Sequence, residues 1–327
     1  MKVLVTGGAG YIGSHTVREL MERGHDVVVL DTLEMGNRRA IGHTKLYRES
    51  ITDTNMLDRI FMQEKPEAVI HFAAYKAPGE SMTEPGKFFH NNVDGTLSLL
   101  EAMLHHNTRH IVFSSSCSIF GTPKTLPIAE DTPFHPESVY GESKLMGEML
   151  LKWYDRTKNI RYSALRYFNA SGASMDNTIG EDWDHTQNLI PLMMKAALGH
   201  TPSMTLFGTD YPTPDGTAIR DYIHVVDLAV AHVKALDYIV RTNRSTVYNL
   251  GSGKGHSVQE VIDATKRICG RDFKVEYGPR RPGDPTAVYA DRSKAEHELG
   301  WKPRYDLNTI LETAWKWYSS HPNGYQD

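Results

Sequence analysis

The sequence predicts an α/β fold, a doubly wound parallel sheet carrying a smaller C-terminal α+β domain. Three observations point to it. Short, nearly continuous apolar runs recur in the first half, at residues 3–6, 26–30, 68–72 and 110–114. Strands buried on both faces of a parallel sheet have that character. Longer stretches of helical spacing lie between runs, as at 12–21, and such alternation builds right-handed βαβ units. A glycine-rich turn, Gly7-Gly8-Ala9-Gly10-Tyr11-Ile12-Gly13, joins the first strand to the first helix.

The remaining elements follow in order. Arg23-Gly24 supplies a basic residue and a glycine stop for the first helix. Further strands are expected at 161–167 and 246–250, the latter returning to the main sheet after an excursion that begins near Ala170. Gly, Pro and Asp thicken through 171–184, 208–216 and 278–285. Turn-rich segments of this size within a compact enzyme are more often binding loops than idle linkers. The expected division is a dinucleotide-binding domain of residues 1–169 plus about 225–251, and a substrate domain of about 170–224 plus 252–327.

Composition narrows the function classes. At 327 residues the chain has room for about two domains. Its net charge of −4 and lack of a long basic run argue against nucleic acid or an anionic membrane as partner. No apolar stretch reaches the roughly 20 residues that span a bilayer. Cys117 and Cys269 cannot form a disulfide framework, and the early glycines do not suit a signal peptide. A cytoplasmic protein is expected. The 16 histidines include no HExxH or zinc-type spacing. His105-His106 read as a solvated helix end before Asn107, and no metal is expected.

The glycine turn satisfies both GxxGxxG, through Gly7, Gly10 and Gly13, and GxGxxG, through Gly8, Gly10 and Gly13. Without Cβ atoms the chain turns tightly and a pyrophosphate approaches the backbone, facing the N–H groups and positive end of the helix. The second strand ends in Asp31, whose carboxylate suits the adenosine ribose hydroxyls and repels a 2′-phosphate. Glu34 adds to that repulsion while Arg38 and Arg39 oppose it, so the balance favours NAD over NADP.

Tyr140 and Lys144 lie four residues apart at the start of a helical pattern running to Leu151 and share one helix face. A free phenol, with a pKa of about 10, is a poor base at neutral pH. A nearby ammonium and the charge of oxidised nicotinamide both favour phenolate. Tyr140 then takes the proton of a substrate hydroxyl while hydride leaves its carbon. The run ending in Ser114-Ser115-Ser116, counted as the fourth strand, puts Ser116 at the ligand crevice to bond the same hydroxyl.

These motifs resemble the extended short-chain dehydrogenase/reductase family. Further stretches point to its nucleotide-sugar 4-epimerase branch: His71-Phe72-Ala73-Ala74-Tyr75-Lys76-Ala77, Arg166-Tyr167-Phe168-Asn169, Asn188-Leu189-Ile190-Pro191 and Arg220-Asp221-Tyr222-Ile223-His224-Val225. Similarity runs essentially end to end. The resemblance implies Tyr140 as base, Lys144 on the nicotinamide ribose and Ser116 assisting. It implies an NAD site lined by Phe72, Ala73, Lys76, Asn91 and Tyr167 beside the glycine turn. A UDP-sugar would be held by Asn169, Asn188, Leu189, Phe207, Arg220, Arg281 and Asp284. A diphosphate calls for such cations. The implied reaction interconverts UDP-glucose and UDP-galactose without net redox change, in a homodimer paired through residues 92–105 and 140–154.

Four positions depart from the family pattern. Ser50 stands where an aspartate near adenine is common, Phe120 replaces a tyrosine and Gln187 an asparagine. Val288 is smaller than the residue many glucose/galactose-only enzymes place against the sugar, leaving room for an N-acetyl group. Rival activities remain. A 4,6-dehydratase would need a carboxylate where the chain has Ser115-Ser116-Cys117. A UDP-glucuronate 4-epimerase could be set by one arginine, and a non-catalytic NAD-sensing regulator would usually lack the Tyr/Lys pair.

Overall fold

The computed structural model describes residues 1–183, 186, 188–281 and 283–325; Gln187 lies outside them. β1 (Lys2–Thr6) leads through the glycine turn into α1 (Tyr11–Glu22) and then β2 (Asp26–Leu30). Gly24, at φ +78°, reverses the chain after α1. β3 (Lys45–Tyr47), α2 (Thr54–Glu64) and β4 (Ala68–His71) follow. Asp53 starts α2 by accepting from the Met56 N–H, satisfying one of the orphan donors of a helix start. Two short helices, α3 (Pro78–Thr83) and α4 (Pro85–Phe89), run through a π-helical turn (His90–Asp94) into α5 (Gly95–His105).

β5 (His110–Ser114), α6 (Val139–Lys158) and β6 (Arg161–Tyr167) complete the first half. Ser138 caps the start of α6 by accepting from Gly141 N–H, and Asn159 ends it in the left-handed conformation. β7 (Asn169–Ser171), α7 (Leu189–Leu198), β8 (Met204–Phe207) and β9 (Ile219–His224) form the excursion. α8 (Val225–Thr242) and β10 (Thr246–Leu250) return to the main body. The chain ends through β11 (Gly255–Ser257), α9 (Val258–Cys269), β12 (Val275–Gly278), β13 (Ala287–Val288), α10 (Ser293–Leu299) and α11 (Leu307–Ser320).

The main sheet is parallel throughout, in the order β10-β6-β5-β4-β1-β2-β3. Side chains of a strand alternate between faces, and here both faces are apolar. Val3 and Val5 pack with Val17 and Leu20 of α1 and Leu228 and Leu236 of α8. Leu4, on the opposite face, packs with Leu57 and Phe61 of α2, Leu99 of α5 and Leu151 of α6. This is the Rossmann-type α/β architecture that the apolar runs predict.

Two expectations need correction. The edge strand β3 escaped the apolar-run criterion because it has three residues, none of them buried. Ser114 therefore ends the fifth strand in chain order, not the fourth. The strand expected at 68–72 stops at His71, because the Phe72 and Ala73 N–H groups both donate to Thr6 O, at 2.8 and 3.1 Å.

Strand order reverses between β1 and β4, which opens a crevice at their carboxyl ends. Above it sits a smaller lobe. β9 pairs with β7, β11 and β13, β8 pairs with β12, and α7, α9 and α11 enclose Met193, Ile262, Leu311 and Trp317. Among the described residues no helix is long and apolar enough to cross a membrane.

Candidate active site

The glycine turn fills the crevice floor. Gly7 holds φ +68°, and a Cβ there would lie 2.5 Å from Ala73 N; at Gly13 it would lie 2.2 Å from Gly7 O. Gly10 precedes α1 without any side-chain cap, so N–H groups of the first turn remain available to an anion. Ile12 packs on the core while the Tyr11 hydroxyl reaches the smaller lobe, donating to Gly172 O at 2.6 Å. The buried Asp31 carboxylate accepts from Ala9 N–H (2.9 Å) and Leu33 N–H (2.8 Å), so it braces the turn from the second strand. Burial pushes this carboxyl upward, and the two backbone donors oppose the shift.

On the β4 side, Phe72 stacks obliquely on His232 at 4.6 Å. Asn91 Nδ2 donates to Asn92 Oδ1. Asn92, buried in the π-helical turn, in turn pins Tyr75 N–H and C=O and the Ser143 hydroxyl, all at 2.9–3.1 Å. It is a support to which the sequence motifs assigned no role in the site. The extra residue of that turn sets Asn91 and Asn92 between the wall and α6.

Tyr140, Lys144 and Ser116 converge at the carboxyl end of β5. Tyr140 occupies the first turn of α6, buried, with its N–H donating to Ser81 Oγ at 3.1 Å. Its phenol lies close enough to the Ser116 hydroxyl for that group to favour the phenolate. Lys144 lies one turn on, 6.0 Å from the Tyr140 ring centre, and its ammonium donates to Ser114 O at 2.8 Å. Ser116 also accepts from Ser118 N–H, opening a short 3-10 turn. Tyr167, ending β6, bonds the Ser114 hydroxyl.

Burial dominates the protonation of these groups. It pushes the Tyr140 phenol up to about 12, against the opposing influence of the nearby Ser116 hydroxyl, and brings the Lys144 ammonium down to about 7. The expectation that Lys144 lowers the phenol's pKa is therefore not met within the protein alone. The ammonium is committed to Ser114 O, and burial weakens the charged form of both side chains.

The residues expected around a UDP-sugar fall into two groups. Arg220 on β9 forms an ion pair with Asp284 and donates to Ile219 O at 2.7 Å. Arg281 lies 4.1 Å over the Phe207 ring at the end of β8. Cys117, next to Ser116, lies close enough to Arg220 and Asp221 to feel their charges, which places this cluster beside the corner where Tyr140, Lys144 and Ser116 meet. Asn188 opens α7 ahead of Leu189, and its side chain reaches Glu181 Oε1 at 3.4 Å, the oxygen that Lys76 also meets at 3.2 Å. Asn169, on β7, instead donates to Asp221 O at 2.8 Å and braces the lobe.

Three neighbours escaped sequence reasoning: Glu181, Tyr211, whose hydroxyl lies 3.4 Å from Asp284, and Arg280, 4.2 Å over the Tyr211 ring. All three fall in the turn-rich stretches flagged as binding loops, but no motif singled them out. Of the departures, Ser50 bonds Thr52 Oγ1 at 2.8 Å and shapes its own loop. Phe120 and Val288 are buried together with Ile119, Ile128, Phe168 and Ala290.

A protein-family model described as GDP-mannose 4,6 dehydratase matches residues 4–314. A UDP-glucose 4-epimerase from Lactobacillus helveticus is 49% identical over 100% of both chains. The UDP-glucose 4-epimerase of Bifidobacterium longum, solved with NAD+ and UDP, superposes with a TM-score of 0.95. It is 42% identical, over 99% of this chain and 100% of that one. A UDP-Glc/GlcNAc 4-epimerase from Campylobacter jejuni gives a TM-score of 0.86 at 40% identity, over 98% and 99%. The chain belongs to the extended short-chain dehydrogenase/reductase family. Within that class its place is among the UDP-glucose 4-epimerases.

The lowered Lys144 has a measurable consequence for stability. Between pH of about 7 and its ordinary value of 10.5, the unfolded chain holds a proton that the folded chain has lost. Stability from this group therefore rises with pH across that window. Relative to Lys144→Met, the wild type should gain about 1 kcal/mol per pH unit from about pH 7 to 9 in urea unfolding; parallel curves for the two proteins contradict the assignment.

Proposed function

We propose that the protein interconverts UDP-glucose and UDP-galactose by epimerisation at C4, with NAD held in the crevice between β1 and β4. The observation that carries the proposal is the meeting of Tyr140, Lys144 and Ser116 beside the glycine turn. That turn fits a dinucleotide: a cradle that a Cβ would fill and an uncapped helix start. Gly7, Gly10, Tyr11, Ile12 and Gly13 would hold the pyrophosphate and Asp31 the adenosine ribose. Phe72, Ala73, Lys76, Asn91 and Tyr167 would line the remainder. When bound, NAD accepts a hydride from the sugar, returns it, and adds a positive charge near the phenol.

In this mechanism Tyr140 removes the proton from the C4 hydroxyl and later restores it. Ser116 holds that oxygen, and Lys144 holds the nicotinamide ribose. The cofactor's charge is what the buried phenol requires, because Lys144 alone leaves it neutral. Arg220 and Arg281 hold the diphosphate, Asp284 keeps Arg220 extended, and Asn169, Asn188, Leu189 and Phe207 hold the rest of the nucleotide sugar. The sugar must turn over between the two hydride transfers, so tight contacts belong to UDP and loose ones to the hexose. The division of labour follows: residues 1–169 plus about 225–251 for NAD, about 170–224 plus 252–327 for UDP-sugar. A 4,6-dehydratase reading lacks support because Ser115-Ser116-Cys117 supplies no carboxylate, and burial pushes the Cys117 thiol up to about 12, leaving it unfit as a base.

Purified protein given UDP-galactose and no added NAD should form UDP-glucose, followed by NMR of the sugar. Tyr140→Phe should lower kcat by about 10²–10⁴-fold with NAD content preserved. Conversion that appears only on adding NAD overturns retention of the cofactor; none under either condition overturns the substrate.

Val288 sits in register with Arg220, and its small side chain supports acceptance of UDP-GlcNAc as well. Wild type should turn over UDP-GlcNAc and Val288→Gly should retain this activity; inertness of both removes the reading.

A cytoplasmic homodimer completes the proposal. Leu97 on α5 and Met149 and Trp153 on α6 are exposed, at 39%, 53% and 58%, on the two helices expected to pair. Large apolar side chains grouped in this way mark contact surfaces. Sedimentation at micromolar concentration should give twice the 36.9 kDa chain mass; a single-chain mass contradicts pairing.

A further inference from the structure

A second cluster of chemically capable side chains lies away from the crevice, on the far face of the main sheet. α5 ends at His105, His106 follows as its C-cap, and Asn107 reverses the chain at φ +60°. The two neighbouring histidines thus turn toward α2, where Asp58 stands. Asp58 Oδ1 lies 3.3 Å from His105 Nδ1 and 2.7 Å from His106 Nε2. One ligand atom from each of the three residues falls within 4.8 Å of the others. His106 is held by its ring, stacked on Phe61 at 5.9 Å with 28° between planes. Its side chain is 20% exposed, while that of His105 is 76% exposed and free to adjust.

We propose that Asp58, His105 and His106 form a binding site for a divalent transition metal of the zinc type. Zinc bonds of about 2.0–2.2 Å in a tetrahedron set ligand atoms roughly 3.3–3.5 Å apart. The Asp58–His105 edge already has that length, and the shorter Asp58–His106 edge opens when a metal replaces the hydrogen bond. Two imidazoles and one carboxylate select zinc, nickel, cobalt or copper over magnesium or calcium, which prefer all-oxygen sets. Three protein ligands leave one position open. A water molecule would complete that shell. A bound ion would join α2 to the end of α5, clamping the helix that continues from the turn carrying Asn91 and Asn92.

The sequence reading of His105-His106 as a solvated helix end missed the cluster because its third member is 47 residues away, on another helix. The inference does not depend on the epimerase reading, and its test needs no nucleotide sugar. Tag-free full-length protein, stripped with a chelator and desalted, is titrated with Zn2+ by calorimetry and with Co2+ by visible absorption. One ion per chain is expected, with tetrahedral cobalt bands and a thermal midpoint that rises with Zn2+. His105→Ala and Asp58→Asn should each weaken binding at least tenfold and abolish the midpoint shift. Binding of the same strength in both variants, or no stoichiometric binding by the wild type, overturns the proposal.

Discussion

Everything at the crevice depends on how closely two backbones approach. The first turn after β1 passes so near the chain leaving β4 that a single methyl group at Gly7 would overlap Ala73 N. Thr6 O holds that approach by accepting from both Phe72 and Ala73, and Asp31 holds the far side of the turn through Ala9. The reversal of strand order makes the crevice available, but the bare backbone of Gly7 and Gly13 gives it a floor deep enough for a phosphate-bearing ligand. Positions of the wall residues and of α6 follow from it.

Above that floor, low polarity governs the chemistry. Burial raises the acid strength of a lysine and lowers that of a tyrosine, so the charged form of each side chain of the pair is weakened. A protein that left Tyr140 permanently ionised would need a permanent counter-charge in its core. Under the proposed function the positive charge would come with NAD, and readiness of Tyr140 for proton removal would then depend on occupancy of the NAD site. On the other side of the site, Asp284 pairs with Arg220 and orients its guanidinium.

The parts legible in the sequence were those in which local chemistry and position coincide. Short apolar runs marked β1, β2, β4 and β5 because strands buried on both faces leave a nearly unbroken signature, and the expected strands at 161–167 and 246–250 are β6 and β10. β3 left none, being short and at the edge. The Tyr140/Lys144 spacing forecast a shared helix face, and α6 provides it; that Lys144 would spend its proton on a carbonyl was invisible, because Ser114 lies thirty residues away. Glu181 and Tyr211 were hidden for a related reason. They sit in irregular loops, where no period marks a side chain's direction, and their partners Lys76 and Asp284 are distant in sequence. The histidine pair at the end of α5 shows the same gap between adjacency in the chain and adjacency in space.

The late return of β10 to the main sheet has a bearing on how the molecule is made. β6 borders β5 on one side, but its other edge stays open until residues 246–250 arrive. A nascent chain therefore carries an apolar, hydrogen-bond-hungry strand edge while some eighty residues, the smaller-lobe excursion and then α8, emerge, and exposed edges of this kind invite pairing with other chains. Neither lobe is a contiguous piece of sequence, so neither can be completed by synthesis before the other has begun. Parallel pairing across so long an interval is intrinsically slow. Helix α8, which packs on the same sheet just before β10, is the first segment of the returning chain able to shorten that search.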